Sequence, residues 1–433
     1  MESQEKRGGN VAAIATMFAL FFMIAFVTNF ASSMGVIAKA QFKASNALSQ
    51  LGNFANFFAY LFMGIPGGLI LKRKGYKFTA LTAVAVGFTG VGVQLLSGYI
   101  GSFAVYVAGA LIAGFSMCML NLVTNPLLNT LGGGGNKGNQ LVQFGCSLNS
   151  VGATLSPIVL GILIGEITEK TAFANAAPAL MIAMGIFAIA FVVVALSNIP
   201  EPHMETAEEK AARLSGGTSV MKDVAETLKF RHFTLGAVAI FFYIVVEVGI
   251  PAMANLYMTD CVKNAAGDIV SKGPGYVGGA VAGVVCGAYW FCMMLGRLAG
   301  GAVGAKISSR KMITFCSVVG IALMLATMFT PVKMVTVFGK EFPLAMCFMV
   351  ACGLCTSVMW GGIFNMAAEG LGKYVPMGSG IFMAMVFGGV LIPVQGLLAD
   401  KIGILQSYWF TIALLAYILF YALIGSRVSK RLD

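Results

Sequence analysis

The chain has 433 residues, of which 58% are hydrophobic and only 10% are charged, and its mean hydropathy is +0.87. About a quarter of the residues in a soluble domain are charged, so this composition excludes a soluble enzyme or binding module and predicts an integral membrane protein. The net charge of +11 could suggest a nucleic-acid partner. The basic residues lie in the turns between apolar runs, however, so we expect no nucleic acid.

Apolar runs long enough to cross a bilayer recur along the whole chain, and a transmembrane helix needs about 20 such residues. We number these runs spans 1 to 12; they begin near residues 10, 46, 78, 103, 140, 175, 234, 275, 312, 343, 377 and 406. The apolar part of span 1 is too long for a cleaved signal peptide. The sequence therefore predicts an all-α membrane protein with about twelve transmembrane helices.

The distribution of positive charge predicts the topology. When the N-terminus is placed in the cytoplasm, most of the 28 Lys and Arg residues fall in cytoplasmic segments, including KRKGYK (72–77) and KISSRK (306–311). This asymmetry follows the positive-inside rule. We expect a multi-pass protein of a bacterial inner (plasma) membrane with both termini in the cytoplasm.

A long polar stretch divides six spans from six. It predicts an N-terminal six-helix bundle over residues 1–198, a cytoplasmic linker over 199–233 and a C-terminal six-helix bundle over 234–433. Within the linker, SVMKDVAETLKF (219–230) places Val220, Val224 and Leu228 on one side of a short amphipathic helix, which we expect to lie at the membrane surface.

The two halves also resemble each other in sequence. TNPLLNTLG at 124–132 matches FNMAAEGLG at 364–372, and GATLSP at 152–157 matches GGVLIP at 388–393. The matches occur in the same order and at nearly the same separation along the chain. Together they predict two parallel six-helix pseudo-repeats, an arrangement typical of transporters.

Polar residues mark every third span. Spans 3, 6, 9 and 12 are almost free of strong polar groups, whereas spans 1, 4, 7 and 10 contain them. In span 4, Asn121, Asn125 and Asn129 recur every four residues and so share one helix face. Because a polar side chain facing lipid has no partner, these faces should line a shared interior. The candidate substrate-binding residues are Asn29, Asn56, Asn121, Asn125, Gln143, Asn149, Tyr243, Glu247, Trp290, Trp360 and Asn365.

Two alternatives remain open for these side chains. A single Asn in a span can serve as a hydrogen-bonding contact between helices, and Trp290 and Trp360 can be ordinary packing instead of platforms for a sugar ring. The contact alternative weakens where three carboxamides share one face and other spans repeat the pattern.

Carboxamides and hydroxyls suit a neutral, hydroxyl-rich solute, because each donates and accepts hydrogen bonds. No cluster of cationic residues is predicted to face the interior, which disfavours phosphorylated substrates. Metal ligands are scarce, since the two histidines, His203 and His232, both fall in the linker. We therefore expect no cofactor and no metal.

Three charged residues fall within spans. Glu247 lies near the middle of span 7, and we expect it to be a coupling acid, a sugar-binding acid or both. Structural pairing with Arg297 is the alternative, but Arg297 lies in the inner half of span 8 and is expected closer to the cytoplasm than Glu247. Glu369 lies near the cytoplasmic end of span 10. We interpret Arg297 and Glu369 as cytoplasmic gate or structural residues.

Several short motifs resemble the fucose permease and glucose/galactose transporter branch of the major facilitator superfamily. They are Asn125-Pro126 followed by Leu131-Gly132, Asn149-Ser150-Val151-Gly152, Glu247-Val248-Gly249-Ile250, Gly296-Arg297, EGLGK (369–373), GSG (378–380) and QGLLAD (395–400). The resemblance covers most of the chain and implies the major facilitator fold. Similar fucose permeases carry one acid in span 1 and another in span 4, both tied to proton coupling. The matching positions here are Ser32 and Asn121, which leaves Glu247 as the deep acid.

Three functional hypotheses follow. The first is a secondary active transporter that imports a neutral sugar, a hexose such as glucose, galactose or a related monosaccharide, coupled to a proton or sodium. The second is a facilitative sugar uniporter without ion coupling, or a transporter of another neutral polyhydroxylated solute. The third is a membrane sensor. An enzyme is not expected, because the sequence contains no nucleophile motif and no His–carboxylate set. We expect the protein to be a monomer in the lipid bilayer.

Overall fold

A computed structural model describes residues 10–26, 51–164, 173–214, 220–263 and 269–428. Among these residues, nine helices are long and apolar enough to cross a membrane, and one of them covers two predicted spans. Together with the helix Gly135–Ile164, the shorter apolar helix Asn10–Phe26 and the linker helices, they form the predicted multi-pass helical architecture.

The first half contains spans 1 to 6. Its helices are Asn10–Phe26, Leu51–Ile100, Phe103–Leu131, Gly135–Ile164 and Phe173–Leu196. The second of these bends at Gly75, whose φ of 85° lies in the left-handed region that glycine adopts without a steric penalty. The bend separates span 2 (51–74) from span 3 (76–100). There are two apolar cores. One consists of first-half residues, and the other consists of second-half residues together with Cys118 and Leu122 of span 4; Trp360 packs against both.

The second half contains spans 7 to 12 and two antiparallel β-hairpins. Spans 7, 8 and 9 are Arg231–Thr259, Gly279–Gly304 and Ser309–Phe329. Span 10 consists of Ala345–Thr356 and Met359–Ala368, and span 12 of Tyr408–Phe420 followed by a π-helical turn at Tyr421–Gly425. Span 11 consists of the 3₁₀ turn Gly372–Tyr374, the helix Val375–Ala384, the 3₁₀ segment Met385–Leu391 and the helix Ile392–Ile402. The hairpins pair Cys261–Lys263 with Ile269–Lys272 and Met334–Val337 with Lys340–Pro343.

The linker contains two helices, Ala207–Leu214 and Val220–Leu228. Val220 and Val224 pack against the protein core, while Leu228 is 42% exposed. The amphipathic helix thus forms where the sequence predicts it, with two of its three apolar residues contacting the protein. It is also tied to the turn between spans 2 and 3, because Lys72 forms a 2.8 Å salt bridge with Asp223.

The segment before the linker helices also contacts this turn. The Glu201 carboxylate accepts hydrogen bonds from the backbone N–H groups of Tyr76 and Lys77, where span 3 begins and helix N–H groups lack intrahelical partners. Burial raises the pKa of Glu201 above its ordinary value. Nδ1 of His203 lies 2.7 Å from the Tyr76 hydroxyl, and burial lowers the pKa of His203 to about 4.

The segments that connect the spans define two ends of the helical bundle. The basic end contains the turns with KRKGYK (72–77) and KISSRK (306–311) and the linker helices. The hairpin end contains the two β-hairpins, since they connect spans 7 to 8 and 9 to 10.

The two halves meet closely toward the basic end. A methyl group added at Gly64 in span 2 would lie 2.5 Å from the carbonyl oxygen of Gly380 in span 11, so only glycine permits this approach. Spans 5 and 8 also join here, because Nε2 of Gln140 donates to the Gly301 carbonyl over 3.0 Å.

The hairpin-side half of span 8 is different. Side chains added at Gly279, Gly283 or Gly287 would come within 4 Å of none of the residues that the structure describes. Among those residues, the close contacts between the halves are therefore toward the basic end.

Candidate functional site

A cavity of about 380 Å³ lies between the two halves, above the closed basic end. Its walls come from span 5 of the first half and spans 7 and 8 of the second. The lining residues are Asn149, Ser150, Ala153, Thr154, Glu247, Gly287, Trp290 and Arg297. Three of the predicted substrate-binding residues, Asn149, Glu247 and Trp290, thus meet in one place.

Glu247 and Arg297 form an ion pair in this cavity. Nη2 of Arg297 lies 2.9 Å from Oε1 of Glu247, and their side chains are only 10% and 13% exposed, respectively. The pairing with Arg297 that the sequence left open as the structural alternative is therefore present, although Arg297 lies nearer the basic end of its span than Glu247 does. Span position locates only the Cα atom, whereas the long arginine side chain carries its guanidinium along the span to the acid.

Arg297 also joins the two halves of the molecule. Its Nη1 donates to Oγ of Ser150 over 2.6 Å and to the carbonyl oxygen of Cys146 over 3.4 Å, both in span 5. The guanidinium therefore bridges an acid in the second half and a hydroxyl in the first. Planar, multidentate arginine is suited to such a bridge.

The asparagines of span 4 form a hydrogen-bonded chain. Nδ2 of Asn121 donates to the Tyr60 hydroxyl (3.1 Å), and Nδ2 of Asn125 donates to Oδ1 of Asn121 (3.2 Å). Nε1 of Trp360, from the second half, donates to Oδ1 of Asn125 over 3.1 Å. Asn125 is fully buried and Asn121 is 8% exposed, so the chain connects the halves inside the protein.

Other predicted residues surround these two groups. Nδ2 of Asn149 donates to the carbonyl of Phe21 in span 1 over 3.0 Å. The ring of Tyr243 is buried and lies 6.4 Å from that of Trp360. Asn56 is also buried, beside Gly114 of span 4. Asn29 lies outside the described residues.

Three predicted residues lie toward the basic end. Gln143 donates through Nε2 to the Val358 carbonyl (2.9 Å), and Asn365 donates through Nδ2 to Oγ of Ser309 (3.0 Å). Glu369 ends the helix Met359–Ala368, and its carbonyl accepts a hydrogen bond from Nε2 of His232 over 2.8 Å. None of these three lines the Glu247 cavity.

The cavity contains residues that the predicted set of binding residues omitted, notably Ser150, Thr154 and Gly287. Ser150 follows Asn149 directly, and Thr154 lies one helical turn beyond it, so both could have been inferred from that motif. Gly287 has no side chain to signal a role. In the residues that the structure describes, no group of three or more His, Cys, Asp or Glu side chains could hold a metal ion.

No protein-family model matches the chain. The glucose/galactose transporter of Brucella abortus (strain 9-941) is 28% identical over 429 residues, which cover 96% of this chain and 94% of the relative. The putative glucose/galactose transporter of Helicobacter pylori (strain J99) is 26% identical over 442 residues, covering 98% and 99%. The crystal structure of the Escherichia coli fucose:proton symporter superposes with a TM-score of 0.81 at 17% identity, covering 97% of this chain and 100% of that chain.

The described part of the chain therefore has the major facilitator fold, and its helices form twelve spans in two six-helix halves, as the sequence predicted. The predicted resemblance to the fucose permease and glucose/galactose transporter branch is also confirmed by these relatives, which are named as transporters and not as enzymes.

Proposed function

We propose that this protein is a secondary active transporter that imports a neutral hexose, such as glucose or galactose, by alternating access coupled to a cation. The observation that carries this proposal is the cavity between the halves, in which an acid and a base meet carboxamide, hydroxyl and aromatic side chains. The names of the relatives support the sugar class, and the fucose:proton symporter supports coupling.

Sugar recognition is assigned to two groups of side chains. Around the cavity, Asn149, Ser150 and Thr154 can exchange hydrogen bonds with sugar hydroxyls, and Trp290, which is 41% exposed, can pack against the apolar face of the ring. Elsewhere between the halves, Asn121, Asn125 and Trp360 supply further polar groups once their mutual hydrogen bonds exchange. The cavity volume of about 380 Å³ falls within the range of small-molecule sites.

Coupling is assigned to Glu247. Protonation of its carboxylate would weaken the ion pair with Arg297 and alter the hydrogen bond that Arg297 donates to Ser150. Protonation of Glu247 would therefore change a contact between the two halves. The ionised form could instead accept hydrogen bonds from vicinal sugar hydroxyls or contribute to a sodium site. Ser32 and Asn121, at the positions of the fucose permease acids, cannot carry a proton.

The membrane orientation is also proposed. The concentration of Lys and Arg at the basic end favours the cytoplasm for that end and for both termini, in an inner membrane. The cavity then opens outward, and the units 1–198 and 234–433 rock about it. We expect a monomer, because the cavity is built within one chain.

Uptake into proteoliposomes tests the function. We expect accumulation of radiolabelled D-glucose or D-galactose that is driven by an inward proton or sodium gradient. Equilibration without accumulation, unaffected by either gradient, would favour the facilitative uniporter. Absence of uptake of these and other monosaccharides and polyols by folded protein would overturn the proposal.

The variant Glu247→Gln tests the coupling role, because it preserves shape and removes the charge. We expect gradient-driven accumulation to be lost while sugar counterflow persists; loss of sugar binding would assign Glu247 to recognition instead. Glu341→Gln, at an exposed hairpin carboxylate, is the matched control. If Glu247→Gln still accumulates sugar with the same cation dependence, Glu247 has neither role.

A further inference from the structure

A second polar layer lies between the halves, on the basic-end side of the Glu247 cavity. It contains Asn139 and Gln143 from span 5 and Asn365 from span 10. Asn139 and Gln143 are fully buried and Asn365 is 7% exposed. Asn139 precedes Asn149 by about 15 Å along the helix, at 1.5 Å per residue, so this layer is separate from the cavity.

The contacts place these carboxamides along the meeting line of spans 5 and 10. Nε2 of Gln143 donates to the carbonyl of Val358 and lies 2.9 Å from the position that a Cβ atom would occupy at Gly361. One turn nearer the basic end, Nδ2 of Asn139 lies 4.0 Å from the sulfur of Met312, while Asn365 donates to Ser309. Ser309 and Met312 share the first turn of span 9, so Asn139 and Asn365 converge on one place from opposite halves.

The amide nitrogens of all three residues have partners, but their oxygens do not. Among the described residues, no group donates a hydrogen bond to Oδ1 of Asn139, Oε1 of Gln143 or Oδ1 of Asn365. Leaving a buried acceptor unpaired is costly, and replacing such a group by an apolar one of similar shape can stabilise a protein. Three unpaired acceptors at one interface between the halves point to a donor that reaches them when the interface opens.

We propose that Asn139, Gln143 and Asn365 form a second, inner binding site for the hydroxyl groups of the transported solute, used when the basic end opens. This inference rests on the proposed function. Hydroxyl donors are the matching chemistry, because carboxamide oxygens accept and neutral polyols donate in several directions. The layer has no charge among these three side chains, so it binds a sugar weakly enough to release it. Water offers the same donor chemistry, and the experiment separates the two.

The test compares the two faces of the carrier. We would measure the sugar concentration that gives half-maximal transport (the half-saturation value), both for uptake from the hairpin side and for efflux from the basic side. The sugar is whichever of D-glucose and D-galactose the wild-type protein transports. For Asn139→Leu/Asn365→Leu we expect half-saturation on the basic side to rise about tenfold, as for two lost hydrogen bonds, and the hairpin-side value to stay within about twofold. The single variant Asn365→Ala, less disruptive to folding, should show a smaller change in the same direction.

Gln395→Leu is the matched control. Gln395 is fully buried in the second half, donates to Thr411 over 3.0 Å and also has an unpaired oxygen, but it does not lie between the halves. Its substitution should leave both half-saturation values unchanged. Deoxy analogues sharpen the result: removing the relevant hydroxyl should weaken basic-side binding in the wild-type protein and have little further effect in the double variant.

Three outcomes would overturn the proposal. Unchanged basic-side half-saturation would mean that the oxygens bind water only. If the half-saturation value rises on one side and falls on the other, these residues affect only the equilibrium between the forms open to the basic side and to the hairpin side. Equal weakening on both faces would place these residues in the central site. Failure of wild-type uptake, by contrast, would count against the proposed function itself.

Discussion

The two polar layers between the halves differ in which groups are paired. In the cavity layer, the opposite charges of Glu247 and Arg297 pair and Arg297 also donates to Ser150, while its Nε has no partner among the described residues. In the layer toward the basic end, the side-chain nitrogens of Asn139, Gln143 and Asn365 have partners, but their oxygens have none among the described residues. At one depth of the interface the buried charges are paired, and at the other the buried carboxamide oxygens have no partner among the described residues.

The difference has a physical reason. A buried charge without its partner costs several kcal/mol, so an ion pair must be complete wherever it is closed off from water. A carboxamide oxygen can remain unpaired at a cost of about 1–3 kcal/mol. An interface that must open and close can tolerate the second arrangement, since the cost is recovered each time the layer is hydrated or occupied.

Removing Arg297 should have the largest effect. Arg297→Leu leaves the Glu247 carboxylate buried without its cation, and breaking such a pair typically costs about 3–5 kcal/mol. We expect a clear fall in the melting temperature of the purified protein and loss of sugar accumulation in proteoliposomes. If accumulation survives, the ion pair is not required for coupling.

Two companion variants sharpen this result. Glu247→Leu/Arg297→Leu should recover much of the lost stability without recovering accumulation, because neither charge remains to be buried alone. Arg310→Leu removes an arginine that bonds to Ser426 at the basic end, and it should leave accumulation largely intact.

Substitution at the closed part of the interface should have an intermediate effect. Gly64→Val places a side chain 2.5 Å from the Gly380 carbonyl and should cost the closed form about 1–3 kcal/mol through overpacking. We expect weaker sugar binding from the hairpin side and faster alkylation of cysteines introduced near the basic end of spans 2 and 11. Gly185→Val in span 6, where an added side chain meets open space, is the control. Unchanged accessibility would show that this contact does not hold the halves closed.

The smallest effect is expected outside the membrane, where His203 joins the linker to span 3. Its pKa is lowered to about 4 from an ordinary value near 6.5, so the unfolded chain binds more protons between these values. The stability contributed by the neutral ring is present above pH 6.5 and is lost as the pH falls toward 4, by at most about 1.4 kcal/mol per pH unit. The Tyr76 hydroxyl can donate to the neutral ring.

His203→Gln isolates this effect, because it retains a hydrogen-bond acceptor and removes the titration. Melting temperatures measured from pH 7 to pH 4.5 should fall less steeply for the variant than for the wild-type protein. Parallel slopes would show that the His203–Tyr76 contact contributes nothing to the acid sensitivity.

From the sequence alone we predicted the membrane class, about twelve spans, two six-helix halves and a linker helix within 219–230, of which 220–228 is helical in the structure. These features depend on local signals, namely apolar run length, the spacing of polar residues and the distribution of Lys and Arg. The motifs also predicted the major facilitator fold. The two β-hairpins were not predicted, because short strands outside the membrane have little hydrophobic periodicity to reveal them.

The contacts among the polar residues could not be predicted from the sequence, because they depend on how the helices pack. Asn125 lies in span 4, and Gln143 and Asn149 lie in span 5. Asn125 accepts a hydrogen bond from Trp360, Gln143 donates to the Val358 carbonyl, and Asn149 lines the Glu247 cavity. The pairing of Glu247 with Arg297 depends on how spans 7 and 8 pack and on where a long side chain carries its charge. Periodicity specifies the face on which a residue lies, whereas its partner and its depth in the closed interface depend on contacts between helices distant in sequence.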